Sequence, residues 1–514
     1  MKNAIIVLSR HYPNAAAPRH VVSPAGVAEW TSRVFEDADT KAAAPRHVVS
    51  PAGVAEWTSR VFEDADTKAL ADAAWNHGLR APLLDHTVLQ RRAALHVFDH
   101  VVTPKMEASD QKQSGRCWAF AGLSLLRRHL ARTRCLPDDF ELSQSYVYFY
   151  DQLEKANAFL QNVLRTRTRP DSNDRDLHFL LTHPLTDGGD WHTFVALVRK
   201  YGVVPAAVFP DSDPARYTRT LHTMLRVLLL QTAARVRAAP NESAAHTEID
   251  LTLHRVHRLL CACLGAPPSM ITWDVAAKAE DSKEMDAGAA DGRPRGHKNT
   301  KVTRVQLPPC ALFAECENAL QLSSYVVLAN VPSSTKAFGT AYHVRYGNTV
   351  LGTPSLPLYY NVGDLRGPAR AALDAGCAVY FASEFDRMRA REEGLLHHGL
   401  VQHKRAIGED LFADKSARVD ARLVNVDHAM LLTGYHAPGG GEVERWQVEN
   451  SHGTERASGY LSMTDEWFRA HVFWIAVPRE CVAAEAGLDT FPKTELPPWD
   501  VFGSVMCGGP FFTP

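Results

Sequence analysis

The sequence predicts an α+β fold, because helical patterns come first along the chain and strand patterns follow. Apolar residues repeat at helical spacing in FELSQSYVYFYDQLEKANAFL and DWHTFVALVRKYG, and again in LHTMLRVLLLQTAARV and DLTLHRVHRLLCACL. Short runs rich in apolar, β-branched and aromatic residues then predict strands. These runs are SSYVVLANV, TVLGT, PLYYNV, AVYFA, HAMLLTGYH and RWQVEN.

The composition is that of a globular chain with little net charge. Hydrophobic residues make up 45% of the 514 residues, which is enough for a sizeable core. The 56 basic and 58 acidic side chains nearly cancel, so no strong field draws the whole molecule to nucleic acid or to an anionic membrane. The apolar run at residues 4–8 is shorter than a signal sequence or a membrane span requires. We therefore expect a cytosolic protein without membrane attachment.

The amino-terminal region contains a duplication. Residues 15–41 recur without a change as residues 42–68. Two identical copies do not make a solenoid, so residues 1–69 are treated as an N-terminal extension outside the main fold. Each copy predicts a short amphipathic helix, N-capped by Ser23 or by Ser50. The apolar face of this helix consists of Val27, Trp30 and Val34 in the first copy and of Val54, Trp57 and Val61 in the second.

The rest of the chain divides into four segments by pattern and composition. Residues 70–213 are predicted to form a compact helical half, and residues 214–320 a helical insertion. Within this insertion, residues 274–304 are polar and rich in glycine and alanine, which predicts a mobile segment. Residues 321–480 form the strand-rich half, and residues 481–514 are a carboxyl-terminal arm.

The cysteines indicate thiols rather than disulfides or a metal site. Their number is nine, which is odd, and no secretion signal precedes them. Cys261, Cys263, Cys310 and Cys316 lack the spacing of CxxC pairs, and Cys261 lies in the apolar run RLLCACL. We therefore expect these four to be buried structural thiols, and we expect neither a metal ion nor a cofactor.

One cysteine, Cys117, opens a predicted helix. It starts the stretch CWAFAGLSLLRRHL, which has apolar residues at helical spacing, and it follows the turn-forming residues QSGR. The positive end of a helix favours the thiolate, which is the form that attacks a carbonyl carbon. Most cysteines in this setting are buried structural residues, so the assignment depends on partners elsewhere in the chain.

A glutamine six residues before this cysteine is a candidate oxyanion donor. The side chain of Gln111 can turn back toward the thiol and, with the backbone N–H of Cys117, form a hole with two donors. Gln113 is an equally polar rival, and a glutamine in such a stretch is often only a solvated loop residue.

A predicted hairpin supplies a histidine and an asparagine. Two strand patterns flank the turn PGGG, and pairing centred on Gly439 places residues opposite each other when their numbers sum to 878, as 428 and 450 do. Opposed side chains are close enough for Asn450 to orient the ring of His428 toward Cys117. His436 lies on the same strand face and is the local rival.

These motifs resemble the papain superfamily of cysteine peptidases. DQKQSGRCWAF is similar to its nucleophile signature, and SGRCW resembles the branch that contains bleomycin hydrolase and bacterial aminopeptidase C. FELSQSYVYFYDQLEKAN, GGDWHTFVALVRKYGVVP, HAMLLTGY, VENSHG and MTDEWF are similar to stretches of that branch in the same order, over about residues 69–480. The resemblance implies a papain-like fold with a helical half, an antiparallel β half and a large helical insertion.

The resemblance also implies roles for individual residues. Cys117 is the expected nucleophile, Gln111 the oxyanion donor, His428 the general base and acid, and Asn450 the residue that orients the ring of His428. Trp118, Gly188, Gly189 and Asp190 are the expected substrate-binding residues. The implied reaction is hydrolysis of peptides, small amides and thiolactones of similar shape through a thioester.

The same branch implies an assembly and a specificity. Its members are expected to be cytosolic homohexamers whose active sites face a central channel. A carboxyl-terminal arm occupies part of the substrate cleft and binds the free amino group of the substrate, which makes the enzyme an aminopeptidase. An endopeptidase is the expected alternative if the arm leaves the cleft.

The chain departs from this branch at three places. The family sequence NSWG is replaced by NSHG, which puts His452 where an indole normally shields the His and Asn pair from water. The tail continues for roughly eight residues beyond the expected end near Met506. The duplication and residues 274–304 have no recognisable counterpart.

A second class of function, nucleic-acid binding on the same scaffold, rests on a basic strip. The strip lacks the aromatic residues that stack on bases, so a solvated loop explains it better. It consists of Arg293, Arg295, Lys298, Lys301 and Arg304.

Overall fold

The computed structural model confirms the α+β class, with helices first and strands later along the chain. The chain divides into two compact units, Met1–Ala69 and Leu70–Pro514. Within the described ranges no helix combines the length and the apolar character needed to cross a bilayer. The structure describes residues 49–169, 174–276, 302–347, 349–352, 357–386, 388–411, 414–455 and 457–507.

The helices of these ranges carry the labels α1 to α17 in chain order. They are α1 (Pro51–Val61), α2 (Ala65–His77), α3 (His86–Gln90), α4 (Arg92–Leu95), α5 (Cys117–Arg134), α6 (Gln144–Arg165), α7 (Arg175–Thr182), α8 (Trp191–Tyr201), α9 (Asp213–Arg216), α10 (Arg219–Ala238), α11 (Glu242–Leu264), α12 (Pro309–Leu320), α13 (Arg366–Asp374), α14 (Lys404–Ile407), α15 (Lys415–Asp420), α16 (Asp465–His471) and α17 (Val501–Cys507).

The strands are labelled in the same way. They are β1 (His100–Val101), β2 (Ile271–Ala276), β3 (Val302–Leu307), β4 (Tyr325–Ala329), β5 (Thr340–Val344), β6 (Tyr359–Asn361), β7 (Val379–Ser383), β8 (Arg389–Ala390), β9 (Leu395–Leu396), β10 (His428–His436), β11 (Arg445–Glu449), β12 (Tyr460–Thr464), β13 (Val472–Pro478) and β14 (Lys493–Leu496).

One large sheet and one separate hairpin contain these strands. The sheet has the order β14-β5-β6-β4-β13-β7-β10-β11-β12-β9-β8, with β1 paired to β10, and β2 pairs with β3 alone. Most neighbours are antiparallel, whereas β14 with β5, β4 with β6 and β12 with β9 are parallel. Helix α5 packs against β10 and β7, while α13 lies against β13 and β10. The amino-terminal end of α5 and the first residues of β10 are thereby brought together.

The helix predicted for the second copy of the duplication is confirmed. Ser50 caps α1, and its hydroxyl accepts a hydrogen bond of 3.1 Å from the backbone N–H of Gly53. Pro51 occupies the first turn, where its missing N–H costs nothing. Trp57, on the predicted apolar face, is 63% exposed. The helix predicted for the first copy lies outside the described residues.

Two strand predictions differ from the structure. The run TVLGT is not a strand, because its described residues form a bend and a turn in which Gly352 has a φ of 85°. The hairpin of β2 and β3 was missed, since it lies at the two ends of the polar stretch predicted to be mobile. Residues 277–301 of that stretch lie outside the described residues.

The prediction of free thiols is confirmed for the described cysteines, whereas the prediction that four of them are buried is wrong for three. All eight cysteines whose side chains are described are free thiols. Of the four expected to be buried, Cys316 is buried, Cys261 and Cys263 are half-buried, and Cys310 is exposed. Cys310 lies in the first turn of α12, on the side of the helix that faces solvent.

Candidate active site

Cys117 is the first residue of α5, as the sequence predicts, and it is 9% exposed. The preceding residue, Arg116, caps the helix without a side-chain hydrogen bond. Its buried guanidinium is instead bound to Asp211 by two hydrogen bonds of 3.0 and 2.8 Å. The thiol therefore shares the helix start with backbone N–H groups that no side chain caps.

Some groups around the sulfur of Cys117 favour the neutral thiol, and others favour the thiolate. Burial raises the pKa of the Cys117 thiol to about 11, and the negative charge of Asp427 acts in the same direction. Hydrogen bonds from the backbone N–H groups of Ala429, Trp118 and Cys117 itself act to lower this pKa. Because Ala429 follows His428 in β10, the sulfur lies against the strand that carries the predicted base.

Backbone and side-chain hydrogen bonds hold Gln111 beside this site. Its backbone N–H donates to the carbonyl of Ser451 at 2.8 Å. Its side-chain oxygen accepts a hydrogen bond of 2.6 Å from the Ser451 hydroxyl, and its Nε2 donates to the carbonyl of Ser114 at 2.7 Å. These contacts fix the orientation of the amide, whose nitrogen carries a second hydrogen for a further acceptor. Gln113, the rival, is exposed.

His428 and Asn450 form the predicted pair. Nε2 of His428 lies 2.7 Å from Oδ1 of Asn450, and this oxygen also accepts from the backbone N–H of Ser451 at 2.9 Å. A carboxamide oxygen only accepts, so Nε2 must donate and the proton of the neutral ring is on Nε2. Nδ1 is then the basic atom of the ring.

The strand register that brings them together differs from the predicted one. The prediction centred the hairpin on Gly439, with opposed numbers that sum to 878. In the structure Leu431 lies opposite Glu449, so opposed numbers near the site sum to 880. Continued past the last paired residues, this register would place position 452, and not 450, opposite His428. A bulge within β10 and a 3-10 turn in the loop shift the register. An offset of two residues preserves the strand face, so Asn450 still reaches the ring diagonally.

The rival histidine is excluded by position. His436 lies at the far end of β10, where its ring is 3.2 Å from the carboxylate of Asp99. Asp427, next to the candidate base, accepts a hydrogen bond of 2.8 Å from the backbone N–H of Phe385. Burial raises the pKa of Asp427 to about 6.

Two rings cover the imidazole of His428. His452 stacks on it with ring centroids 4.9 Å apart and an interplanar angle of 29°, and Phe385 lies 4.5 Å away. Burial, followed by the neighbouring His452, lowers the pKa of His428 to about 3, while its bond to Asn450 acts in the opposite direction. His452, which the sequence analysis expects in place of an indole, thus puts a polar ring against His428.

An ion pair between the sulfur of Cys117 and the ring of His428 would offset the preference of each group for its neutral form. Burial alone keeps both Cys117 and His428 neutral. Transfer of the thiol proton to Nδ1 creates two opposite charges, and their attraction is strong where little water screens it. The site is therefore suited to an ion pair and not to an isolated thiolate.

Two predicted substrate-binding residues, Trp118 and Asp190, have side chains that form hydrogen bonds within the protein. Trp118 is completely buried, and its indole N–H donates to the carbonyl of Asp187 at 3.0 Å. Asp190 caps α8 by accepting from the backbone N–H of Thr193 at 2.8 Å, and it also accepts from the hydroxyl of Tyr359. Both side chains therefore have hydrogen-bond partners within the fold, and Asp190 also lines the pocket beside Gly188 and Gly189.

Gly188 and Gly189 remain available as backbone. A Cβ on Gly189 would lie 2.7 Å from the indole of Trp118, so only glycine fits there. Both glycines border a pocket of about 130 Å³. Its opposite wall includes Pro498 and Gly503 of the carboxyl-terminal arm.

A buried ionic network behind Asn450 was missed by the sequence reasoning. Glu449 accepts hydrogen bonds from Arg127 at 2.8 Å and from Ser124, both on α5, with one oxygen. With the other it accepts from Arg128, also on α5, and from Tyr460 at 3.3 Å. The network joins the nucleophile helix to the strand that ends at Asn450. The sequence offered only one signal, the adjacent arginines that follow the apolar first half of the helix.

The basic strip does not form a patch among the residues that the structure describes. Arg304 is paired with Asp274 across the β2 and β3 hairpin at 2.7 Å, and the strip's other members lie outside the described residues. In the part of the chain that the structure describes, no group of three His, Cys, Asp or Glu side chains is placed to hold a metal ion.

The chain is similar to known proteins over most of its length. The model of the Peptidase C1-like family matches residues 48–503. Aminopeptidase C of Streptococcus thermophilus is 32% identical over 410 residues, covering 78% of this chain and 87% of that protein. Bleomycin hydrolase of Homo sapiens is 30% identical over 443 residues, covering 84% and 92%. The crystal structure of PepW from Lactobacillus rhamnosis HN001 matches with a TM-score of 0.78 at 27% identity, covering 89% and 99%.

Proposed function

Because the chain belongs to the Peptidase C1-like family, we propose that it is a cysteine aminopeptidase that acts on peptides and small amides. One observation carries the proposal. Cys117 opens a helix against the first residues of β10, where Asn450 fixes the His428 ring with Nδ1 as its basic atom. A thiol, an oriented base and an adjacent amide donor are the groups that acyl transfer needs.

The reaction follows from these positions. The sulfur of Cys117 attacks the carbonyl carbon after its proton moves to Nδ1 of His428, and the carbonyl oxygen becomes an oxyanion. His428 returns the proton to the nitrogen of the scissile bond, the amine leaves, and a thioester remains. Water, deprotonated by the same ring, attacks the thioester and releases the acid and the thiol. Asn450 keeps the ring in position through both steps.

We expect Gln111→Ala to lower kcat by about 10²- to 10³-fold, which is the usual effect of losing one oxyanion donor. KM should change little, because the oxyanion exists only in the transition state. The measurement is steady-state kinetics on a fluorogenic aminoacyl substrate. Gln113→Ala is the matched control, since that side chain is exposed two residues away. Equal losses in both variants would contradict the assignment of Gln111.

The carboxyl-terminal arm supports the aminopeptidase specificity. Strand β14 pairs with β5, and Phe502 of the arm is completely buried, with its ring 4.6 Å from that of Tyr342. Lys336 and Asp500 form an ion pair of 3.1 Å. Pro498 and Gly503 of this arm line the pocket beside Gly188 and Gly189, where they would limit how far a substrate extends on its acyl side. A peptide whose acyl side is closed off must be cut near its amino end.

Aminoacyl-coumarin substrates test this function. The enzyme should hydrolyse the substrate with a free amine and should act at least about tenfold more slowly on the same substrate acetylated at the amine, since a charge-assisted hydrogen bond is lost. No thiol-dependent turnover of either substrate would refute the enzyme. Equal turnover of both would refute the aminopeptidase and identify an endopeptidase.

We further propose that the chain works in the cytosol as a homohexamer, as the resemblance to the bleomycin hydrolase branch implies. Light scattering coupled to size-exclusion chromatography at several concentrations tests the assembly. A mass six times that of the 56.8 kDa chain supports the proposal, and a monomer contradicts it.

A further inference from the structure

A second, small pocket of about 20 Å³ lies beside the His428–Asn450 pair. Its wall includes Phe385 and His452, the two rings that cover His428, together with Asn450. In the proposed reaction His428 protonates the leaving amine, so the leaving group must lie next to this ring. The pocket therefore belongs to the leaving-group side of the scissile bond, in contrast to the pocket beside Gly188 and Gly189.

The charged residues that line this pocket are basic. Arg389 and Arg391 contribute to its wall with His452, and none of the described residues in the wall is an aspartate or glutamate. The other wall residues are apolar, glycine or Asn450. Arg391 is exposed at the rim. A wall of this kind attracts an anionic group.

Arg389 has the more defined position of the two arginines. Its guanidinium lies over the ring of Phe385, with its carbon 4.5 Å from the ring centroid, and its side chain is 17% exposed. One nitrogen, Nη2, pairs with Asp386, whose side chain is 67% exposed. Nη1 is buried and has no hydrogen-bond partner among the described residues. A guanidinium with one engaged nitrogen and one unsatisfied nitrogen can donate hydrogen bonds to a second carboxylate, or exchange the first carboxylate for it.

The positive field of the pocket reaches the catalytic ring. His452 and Arg389 both act to lower the pKa of His428, whereas Asp386 acts to raise it. His452 and Arg389 thus disfavour the imidazolium that the proposed mechanism needs. An anion bound between Arg389 and His452 would cancel this effect and stabilise the ion pair with Cys117.

We propose that this pocket binds a carboxylate on the leaving-group side of the substrate, with Arg389 as its main partner and His452 beside it. The inference rests on the proposed peptidase function and adds a specificity to it. The carboxylate is either the main-chain carboxylate of a dipeptide or an acidic side chain in the first leaving residue. Both present the planar pair of oxygens that a guanidinium binds.

Two substrate pairs test the proposal and separate the two sources of the carboxylate. Ala-Ala is compared with Ala-Ala-amide, and Ala-Asp-amide with Ala-Asn-amide, by measuring kcat/KM from product release. Wild-type enzyme should prefer the anionic member of at least one pair by about 10- to 100-fold, the usual strength of a hydrogen bond to a charged group. A preference only in the first pair identifies the main-chain carboxylate, and one only in the second pair identifies the side chain.

Variants of the pocket residues test which side chains produce the preference for anionic substrates. Arg389→Gln should reduce the preference to near one, Arg389→Lys should retain part of it, and His452→Phe should weaken it while keeping an aromatic ring against His428. Arg219→Gln, an exposed arginine at the start of α10, is the matched control and should keep the full preference. Ratios between paired substrates cancel any general effect of Arg389 on the base.

The outcomes distinguish this inference from the function on which it rests. Turnover of the neutral substrates without any preference for their anionic partners overturns the carboxylate pocket and leaves the peptidase intact. A preference that survives in Arg389→Gln overturns the role of Arg389. Absence of turnover on all four substrates overturns both proposals.

Discussion

Replacing Cys117 by alanine is expected to reduce kcat by about 10⁶-fold, the loss typical of removing the nucleophile of a covalent hydrolase. The remaining rate should come from substrate binding and from the oxyanion donors, which the substitution leaves in place. Cys117 is buried at a helix start that is fixed by Arg116 and Asp211, so the fold should survive the loss of one sulfur atom. The measurement is turnover of a free-amine aminoacyl-coumarin by enzyme whose circular dichroism matches the wild type.

A second buried cysteine gives the matched control. Cys316 in α12 is completely buried, and burial raises the pKa of its thiol to about 12. No histidine lies beside it in the sequence, where its neighbours are Glu315 and Glu317, and Cys316→Ala should retain most of the activity. The assignment of Cys117 is refuted if Cys117→Ala keeps more than about one hundredth of the wild-type rate, since the retained oxyanion donors alone do not supply it.

Replacing Glu449 by alanine is expected to destabilise the protein by about 3–5 kcal/mol, the usual effect of breaking a buried ion pair on one side. Glu449, Arg127 and Arg128 are 6%, 1% and 5% exposed, respectively. Burial already lowers the pKa of Arg128 to about 10, although it remains charged at neutral pH. Without the carboxylate, two guanidinium groups would remain buried without their main counter-charge. The free energy of unfolding in urea is the measurement.

The same substitution should also displace Asn450, the next residue along the chain. We expect a lower kcat per folded molecule at temperatures where the variant is still native. Glu442→Ala is the matched control, because Glu442 lies in the same hairpin, is 90% exposed at its side chain, and has only a rim ion pair of 3.5 Å with Arg366. It should change the free energy of unfolding by less than about 1 kcal/mol. Similar losses in both variants would mean that the network contributes little.

The family resemblance read from the ordered motifs is confirmed by the matches to the Peptidase C1-like family, aminopeptidase C and bleomycin hydrolase. Local patterns were sufficient for the long helices, since each repeats apolar residues at helical spacing. They failed for TVLGT, where the β-branched residues are followed by a glycine that turns the chain. They also missed the β2 and β3 hairpin, whose strands are separated by a long polar segment that hides their pairing.

Individual residues of the site also show what the sequence could predict and what it could not. Sequence spacing favoured Gln111 over Gln113, and the structure places Gln111 in the buried position because residues 109–111 pair with 451–453. The predicted partnership of His428 and Asn450 survived an incorrect register, since a shift of two residues leaves side chains on the same strand face. For Trp118 and Asp190, whose place at the substrate stays a prediction, the structure adds hydrogen-bond partners within the fold.

The sequence by itself determined the fold class, the helix that begins at Cys117, the strand that carries His428, and the family. Each of these depends on residues close together in the chain or on motifs in a fixed order. Only the tertiary structure decided the strand register, the ionic bond between Glu449 and α5, and the basic pocket of Arg389, Arg391 and His452. These depend on contacts between residues far apart in the chain, and a long-range contact is set by how whole elements pack and not by the pattern within any one of them.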